Sequence, residues 1–108
     1  MDTILATRPD DAVRYGVYVD LYAKPGREDE VVDFLKSARP IVAGEDGTAD
    51  WYAIRLSDTH FAIFDTFADE DGREAHLAGQ VAQALAERAP DLLASQPVIQ
   101  KTEVLASK

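Results

Sequence analysis

The most constraining stretch of this sequence is FAIFDTF at residues 61–67, because it is apolar on both sides of a strand. Successive side chains of a β-strand point to opposite faces of the sheet. Here both sets of alternate positions include phenylalanine, isoleucine or alanine. Such a strand must be covered on both faces of its sheet. A chain of 108 residues has enough helix for one covering layer. We therefore expect the chain's own helices on one face and a second copy of the chain on the other.

The residues that follow this strand predict a helix that carries a histidine. Asp69 occupies an N-cap position, where its carboxylate can accept from unpaired backbone N–H groups. Asp71 lies in the first turn, where a negative charge favours the positive end of the helix dipole. The helix then carries His76, and Gly79 marks its end.

Apolar periodicity and the glycine and proline positions predict the other elements. These are a strand at 15–23, a helix at 27–43, a strand at 48–56, a second helical segment at 80–89 and a final strand at 98–106. We expect Pro40 to kink or reset the last turn of the first helix and Pro90 to end the later one, with one more helical turn within residues 91–95. Residues 1–14 show no apolar periodicity, so we expect a flexible N-terminal arm before a single domain at 15–108.

The order strand, helix, two hairpin strands, helix, strand is the split βαβ arrangement of ferredoxin-like domains, an α+β fold of type βαββαβ. Right-handed crossovers place the first and third strands at the centre of a four-stranded antiparallel sheet, with the helices on one face. Tyr18, Tyr22 and Phe64 then lie on the opposite face. A bare aromatic face marks an interface, so we expect a homodimer through the open sheet face, closed into a dimeric α+β barrel.

Composition and charge exclude several classes of function. Twenty Asp and Glu against eleven Lys and Arg give a net charge of −9, which repels a nucleic-acid backbone. Cysteine is absent, and His60 and His76 have no clustered third donor, so we expect no disulfide and no metal site. Because no signal-peptide core and no membrane-spanning run can be found, we expect no membrane partner and a cytoplasmic location.

Four segments together resemble the antibiotic biosynthesis monooxygenase domain family. They are AKPGREDEVVDFL after the first strand, EDGT before the second, FAIFDTF in the third and DEDGREAHLAG at the second helix. The resemblance covers residues 15–106 and implies a dimeric α+β barrel that oxygenates electron-rich phenols or quinols with O₂, without metal or flavin. Its relatives include haem-degrading oxygenases and an isomerase of a phosphorylated signalling sugar. The positions that correspond to the haem contacts hold Val19, His76 and Ala86 here, so we expect no haem and no other cofactor. The histidine at position 76 is common in the wider family.

Oxygenation without a cofactor needs a dry cavity, a proton acceptor and a group that stabilises an anion. We expect that cavity between the sheet and the helices. Seven strand residues are predicted to contact the substrate: Val17, Val19, Trp51, Tyr52, Arg55, Phe61 and Phe67. Trp51 and Tyr52 have the alternative of being core or dimer contacts.

Two residues are the candidates for catalysis. His76 is the predicted base, because imidazole titrates near neutral pH; the alternative is that it orients a loop through a hydrogen bond. Asp65 is the second, an acid inside an apolar strand that needs a partner when buried. Arg55 either pairs with Asp65 across the hairpin or binds an anionic ligand oxygen. His60, at the end of the hairpin, is expected to be exposed.

The leading hypothesis is therefore a small homodimeric, cofactor-independent monooxygenase that acts on a phenolic or quinol-type small molecule with O₂. One alternative is an isomerase of a small phosphorylated metabolite, which requires cations in the cavity and has Arg55, Lys101 and Arg73 to supply them. The other alternative is a non-catalytic dimeric ligand-binding or stress-response module, which is favoured if packed side chains close the cavity.

Overall fold

The computed structural model describes residues 13–108, so residues 1–12 of the predicted N-terminal arm lie outside the described part of the chain. Its elements are β1 (Tyr15–Tyr22), α1 (Glu28–Ala43), β2 (Thr48–Arg55), β3 (His60–Phe67), α2 (Glu70–Leu77), α3 (Gln80–Leu92) and β4 (Ile99–Glu103). The predicted order of elements is confirmed, with the second helical region divided at Gly79. The end of the predicted arm is packed in place, since Val13 is buried and the carbonyl of Arg14 accepts from the N–H of Val104 at 2.7 Å.

The sheet has the strand order β2-β3-β1-β4, and every neighbouring pair is antiparallel. The first and third strands are central, as the crossover rule predicts. In this register Asp65 lies opposite Val17 on one side and opposite Trp51 on the other. The α+β ferredoxin-like fold is confirmed.

The core lies between one face of the sheet and the helices. Alternate residues of β1 and β3, including Val19, Leu21 and Phe61, pack with Val31 and Leu35 of α1. The chain's own helices do not cover the other face in the same way. Tyr52 is 58% exposed and Ile54 48% exposed on that side, and Tyr22 is also exposed. The two faces of the sheet therefore differ sharply in how well they are covered.

The prediction that Pro90 ends the last helix is wrong. α3 continues through Pro90 to Leu92, and the N–H of Leu93 still donates to the carbonyl of Ala89 at 2.9 Å. Proline removes its own N–H donor and crowds the carbonyl four residues earlier, but only Asp91 and Leu92 follow Pro90 in the helix, so little of the helix is affected. Lys24 Nζ also donates to the carbonyl of Pro90 at 2.5 Å, which satisfies one of the free carbonyls at the helix end.

The first helix likewise contains its proline. α1 passes Pro40 and ends at Ala43, where the predicted helix also ends. Within residues 13–108, no helix combines the length and the apolar character that crossing a membrane requires.

Candidate functional site

His76 lies in the last turn of α2, over the helix-covered face of the sheet. The predicted N-cap is confirmed: Asp69 Oδ1 accepts from the N–H of Gly72 at 2.7 Å, which fixes where the helix begins. The side chain of His76 is only 7% exposed and contacts the ring of Phe67, with the ring centroids 5.4 Å apart. The helix therefore places an ionisable ring inside the protein.

Two carboxylates hold this imidazole from opposite sides. His76 Nδ1 is 2.7 Å from Glu45 Oε1, and Nε2 is 2.9 Å from Asp65 Oδ2, an ion-pair distance without hydrogen-bond alignment. Glu45 Oε1 also accepts from the hydroxyl of Thr48 at 2.7 Å. Asp65 is 1% exposed, and its Oδ1 has no hydrogen-bond partner in the described part of the chain. Glu45, His76 and Asp65 thus form one cluster, called here the imidazole cluster.

Two glycines explain how Glu45 reaches His76. A Cβ at Gly47 would lie 2.8 Å from the Cα of Gly72, and a Cβ at Gly72 would lie 2.6 Å from the carbonyl oxygen of Gly47. Both distances are too short for a side chain, so the turn before β2 packs backbone to backbone against the first turn of α2. This contact brings the Glu45 carboxylate to the His76 ring.

The imidazole cluster sets the charge of His76. Burial alone would lower the pKa of His76, but its contacts with Asp65 and Glu45 and the negative charges of both outweigh burial and raise the pKa above its usual value. A protonated ring offers an N–H to each carboxylate and has no lone pair left to accept a proton. His76 can therefore act as a base only above its raised pKa.

A cavity of about 390 Å³ lies between α1 and the outer half of the hairpin. Its lining residues are Val32, Leu35, Lys36, Arg39, Trp51, Ala53, Ile54, Arg55 and Phe61. The volume is within the range of small-molecule sites, and the wall is largely apolar with a few charged groups, as such sites are. This space is called the α1–β2 cavity below.

Three of the seven residues predicted to contact substrate line this cavity: Trp51, Arg55 and Phe61. Val17, Val19 and Phe67 are buried in packing, and Tyr52 points to the opposite, open face of the sheet.

The two predicted catalytic residues, His76 and Asp65, do not line the cavity. Trp51 connects the two places, because it lines the cavity and also lies opposite Asp65 in the strand register. Its indole Nε1 is buried and has no hydrogen-bond partner within the described chain.

The predicted pairing of Arg55 with Asp65 is wrong. The hairpin register places Arg55 opposite Phe61, and the guanidinium lies 4.9 Å from the centre of that ring. Arg55 donates only to backbone carbonyls, from Nε to Ser57 at 3.3 Å and from Nη2 to Asp58 at 3.0 Å. Its charge therefore stays available at the mouth of the cavity.

Sequence analysis missed two further cations at the cavity. Lys36 and Arg39 of α1 line it and are exposed. The sequence did contain a signal for their position. Lys36 follows Val32 by four residues and Arg39 follows Leu35 by four, which places both cations beside the apolar stripe of the helix. Lys101 and Arg73 do not line it. Lys101 Nζ donates to Glu74 at 2.6 Å, and Arg73 donates to the carbonyls of Gly16 and Thr102.

The open face of the sheet carries its own histidine pair. His60 Nε2 is 2.7 Å from Asp20 Oδ1, the hydroxyl of Tyr18 donates to the same oxygen at 2.7 Å, and Tyr22 stacks on His60 at 4.4 Å. The hydrogen bonds from His60 and Tyr18 lower the pKa of Asp20, and the bond to Asp20 raises the pKa of Tyr18. His60 is half-buried in this cluster rather than fully exposed.

The imidazole cluster does not have the geometry of a metal site. Its two carboxylates contact opposite ring nitrogens, so the donors do not converge on a common point. Across residues 13–108, no group of three or more His, Asp or Glu side chains is arranged to hold a metal ion.

Comparison with known proteins identifies relatives by structure. No protein-family profile matches the chain, and no curated protein matches its sequence. The chain is similar to the NE2512 protein of unknown function from Nitrosomonas europaea. The two are 47% identical with a TM-score of 0.88, over 91% of this chain and 95% of the other.

Two more distant structures share the fold. One, from Caulobacter crescentus, is named provisionally as an antibiotic biosynthesis monooxygenase; it is 20% identical with a TM-score of 0.71, over 92% of this chain and 94% of the other. The second is named an antibiotic biosynthesis monooxygenase and is 13% identical with a TM-score of 0.70, over 82% of this chain and 95% of the other. At these identities the similarity extends to the fold and not to the chemistry.

Proposed function

The chain belongs to the same family as the NE2512 protein of Nitrosomonas europaea, whose function is unknown, and we propose that it is a cofactor-independent monooxygenase. Its substrate is a phenolic or quinol-type small molecule, its oxidant is O₂, and it works as a cytoplasmic homodimer that pairs through the open sheet face. The similarity of fold to proteins named antibiotic biosynthesis monooxygenases supports this proposal.

The observation that carries the proposal is the α1–β2 cavity. Trp51 and Phe61 give it aromatic walls, and Arg55 places a positive charge beside them. An electron-rich ring packs against such walls, and a nearby cation stabilises the anion that forms when the ring loses a proton. An open cavity also favours an enzyme over the non-catalytic module, for which we expected closure by packed side chains.

The reaction balances without a metal or a flavin. The deprotonated ring carbon of an anthrone-type substrate gives electrons to O₂ and forms a C–O bond to it. The peroxide that results is protonated and loses water, which converts a ring CH₂ to a ketone. The substrate loses four electrons and O₂ accepts them, with one oxygen atom in the product and one in water. The protein has to bind the ring, keep out bulk water and stabilise the anion.

We propose catalytic roles for His76 and Asp65 through one of two routes. If His76 takes the substrate proton, activity rises with pH through its raised pKa, because the protonated ring accepts nothing. If the imidazole cluster instead positions Trp51, through Asp65 opposite it in the register, activity does not follow that ionisation. The pH profile of turnover therefore separates a catalytic base from a positioning residue.

Oxygen uptake tests the proposed activity. We expect uptake with at least one member of a panel of anthrones and quinols. His76→Ala and Arg55→Gln should lower it, while the exposed Arg88→Gln on α3 should leave it unchanged. No uptake across the panel would contradict the oxygenase proposal, and full activity in His76→Ala would remove the role given to that residue.

A second candidate function is isomerisation of a small phosphorylated metabolite. It is favoured by the three cations that line the α1–β2 cavity, Lys36, Arg39 and Arg55, since Lys and Arg are the side chains that bind phosphate. Titration with a sugar phosphate decides between the two: saturable binding lost in Arg39→Gln supports the isomerase, and no binding at millimolar ligand removes it.

A further inference from the structure

We infer that the α1–β2 cavity selects an aromatic oxyanion, a carboxylate or a phenolate on a fused or single ring, over the neutral compound of the same shape. This inference deepens the proposed function by naming the ionic form of the substrate. The inference rests on the proposed cavity but not on turnover, so the inference and the proposed oxygenase activity can fail separately.

The polar side chains of the cavity are all cationic or donate hydrogen bonds. Lys36, Arg39 and Arg55 line it together with Trp51, and among residues 13–108 no Asp, Glu or His side chain does. Lys36 and Arg39 have no carboxylate partner within residues 13–108, and Arg55 uses only backbone carbonyls. Such a lining satisfies a ligand that accepts hydrogen bonds and carries negative charge.

Carboxylates outnumber cations in this protein, twenty to eleven, and several cations of residues 13–108 pair with one. Arg27 pairs with Glu30, and Lys101 pairs with Glu74. The buried Arg73 faces Glu70 at 3.5 Å. Lys36, Arg39 and Arg55 instead converge on one apolar cavity with no carboxylate partner in residues 13–108, and this convergence marks a place for an external anion.

The depth of each lining residue orients the ligand. Phe61 and Leu35 are buried at the inner end, whereas Lys36, Arg39 and Arg55 are exposed at the mouth. An aromatic body packs inward against Trp51 and Phe61, and its anionic oxygens remain outward between the cations. A volume of about 390 Å³ suits a molecule of that size.

The absence of an acceptor also bears on the reaction. A neutral phenol that enters the described cavity finds no side-chain carboxylate or imidazole to accept its O–H. A substrate that is already ionised meets only favourable partners there. The cavity therefore favours rings whose acidic O–H group ionises near neutral pH, and the proton considered for His76 in the proposed reaction is the separate one on the ring carbon.

Binding of a matched pair of probes tests the inference. Trp51 is the only tryptophan of the chain, so its indole N–H gives a single NMR signal that reports on the cavity. We expect 2-naphthoate to shift this signal and to bind at least about tenfold more tightly than 2-naphthamide, because a hydrogen bond to a charged group is stronger than a neutral one. The preference should weaken with salt, since the cations are exposed.

Variants identify the groups responsible. Lys36→Gln combined with Arg39→Gln should weaken naphthoate about tenfold and leave naphthamide unchanged. Both positions are exposed, so the fold should survive. Arg27→Gln at the start of α1 is the matched control and should change neither affinity.

Four results would overturn the inference. They are equal affinity for the two probes, a preference that survives the double variant, ligand-induced shifts confined to a separate cleft that Arg73 and Lys101 line, and displacement of naphthoate by an equal concentration of inorganic phosphate. Selective binding without oxygen uptake leaves the inference in place and removes the oxygenase. Oxygen uptake with both neutral and ionised substrates, together with equal affinity for the two probes, removes the inference and leaves the oxygenase in place.

Discussion

Each face of the sheet carries a histidine–carboxylate pair, and the two pairs differ mainly in burial. On the helix-covered face His76 and Asp65 are 7% and 1% exposed in their side chains; on the open face His60 and Asp20 are 23% and 30% exposed. The nitrogen–oxygen distances are similar, at 2.9 and 2.7 Å. Similar nitrogen–oxygen distances therefore occur in two environments that give a charge very different energies.

The difference shows what each pair does for the fold. A buried ion pair depends on both partners, because removal of one leaves the other as an uncompensated charge. Removal of one partner from a pair that water can reach costs less stability, because solvent screens the remaining charge. The covered face is thus the one where single substitutions should have large effects, while the open face, which we propose for pairing with a second copy, can be altered with the monomer intact.

The largest effect is expected for His76→Ala. This change leaves Asp65 buried without its partner and should lower the free energy of unfolding by about 3 kcal/mol, measured by urea denaturation at two protein concentrations. His60→Ala on the open face is the matched control and should cost clearly less. Similar losses for the two variants would show that burial does not separate the pairs.

The next effect concerns self-association through the open face. Ile54→Lys places a charge on each of two opposed surfaces, and we expect the dissociation constant of the dimer to rise roughly 100-fold. Gln83→Lys adds the same charge to an exposed position of α3 and should leave association unchanged. Equal behaviour of the two variants by sedimentation velocity would place the interface elsewhere.

The smallest effect is the dependence of stability on pH. The pKa of His76 is raised in the folded protein, so its stabilising contribution is fully present below the unfolded value of about 6.5 and disappears as pH rises through the folded value. Urea midpoints should therefore fall above about pH 6.5, and His76→Gln should flatten that part of the curve. An unchanged slope in the variant would contradict the raised pKa.

The contribution of the open-face pair to stability should change at acidic pH. The pKa of Asp20 is lowered by its hydrogen bonds with His60 and Tyr18. Its contribution is therefore present above the unfolded value of about 3.9 and is lost as pH falls through the folded value. Asp20→Asn should reduce the loss of stability on the acid side only, measured by the same urea series.

Local patterns predicted the elements but not the contacts between them. The alternation in β3 and the Asp69 cap depend on neighbours in sequence, and the structure confirms the strand and the cap. The Glu45–His76 contact spans 31 residues and depends on the close approach of Gly47 and Gly72, which no periodicity reveals. Sequence analysis quoted the EDGT segment before the second strand and gave Glu45 no role.

Among the cavity residues, too, local patterns predicted some positions and not the contacts between elements. Trp51, Arg55 and Phe61 could be anticipated because strand alternation places them on the helix-covered face. The Arg55–Asp65 pair failed because composition does not fix the hairpin register, which sets Trp51 opposite Asp65. Lys36 and Arg39 were missed because charged helix residues beside an apolar stripe are usually solvated, and only the position of β2 shows that they meet a cavity.

Sedimentation equilibrium of the unaltered protein in dilute solution tests the contrast between the two faces most directly. One face is covered by the chain's own helices, and the other, with Tyr52 and Ile54 exposed, is the face through which we propose that a second copy pairs. The account predicts a mass twice the 11.8 kDa of one chain. A mass of 11.8 kDa at every concentration, with Tyr22 open to solvent, would contradict it.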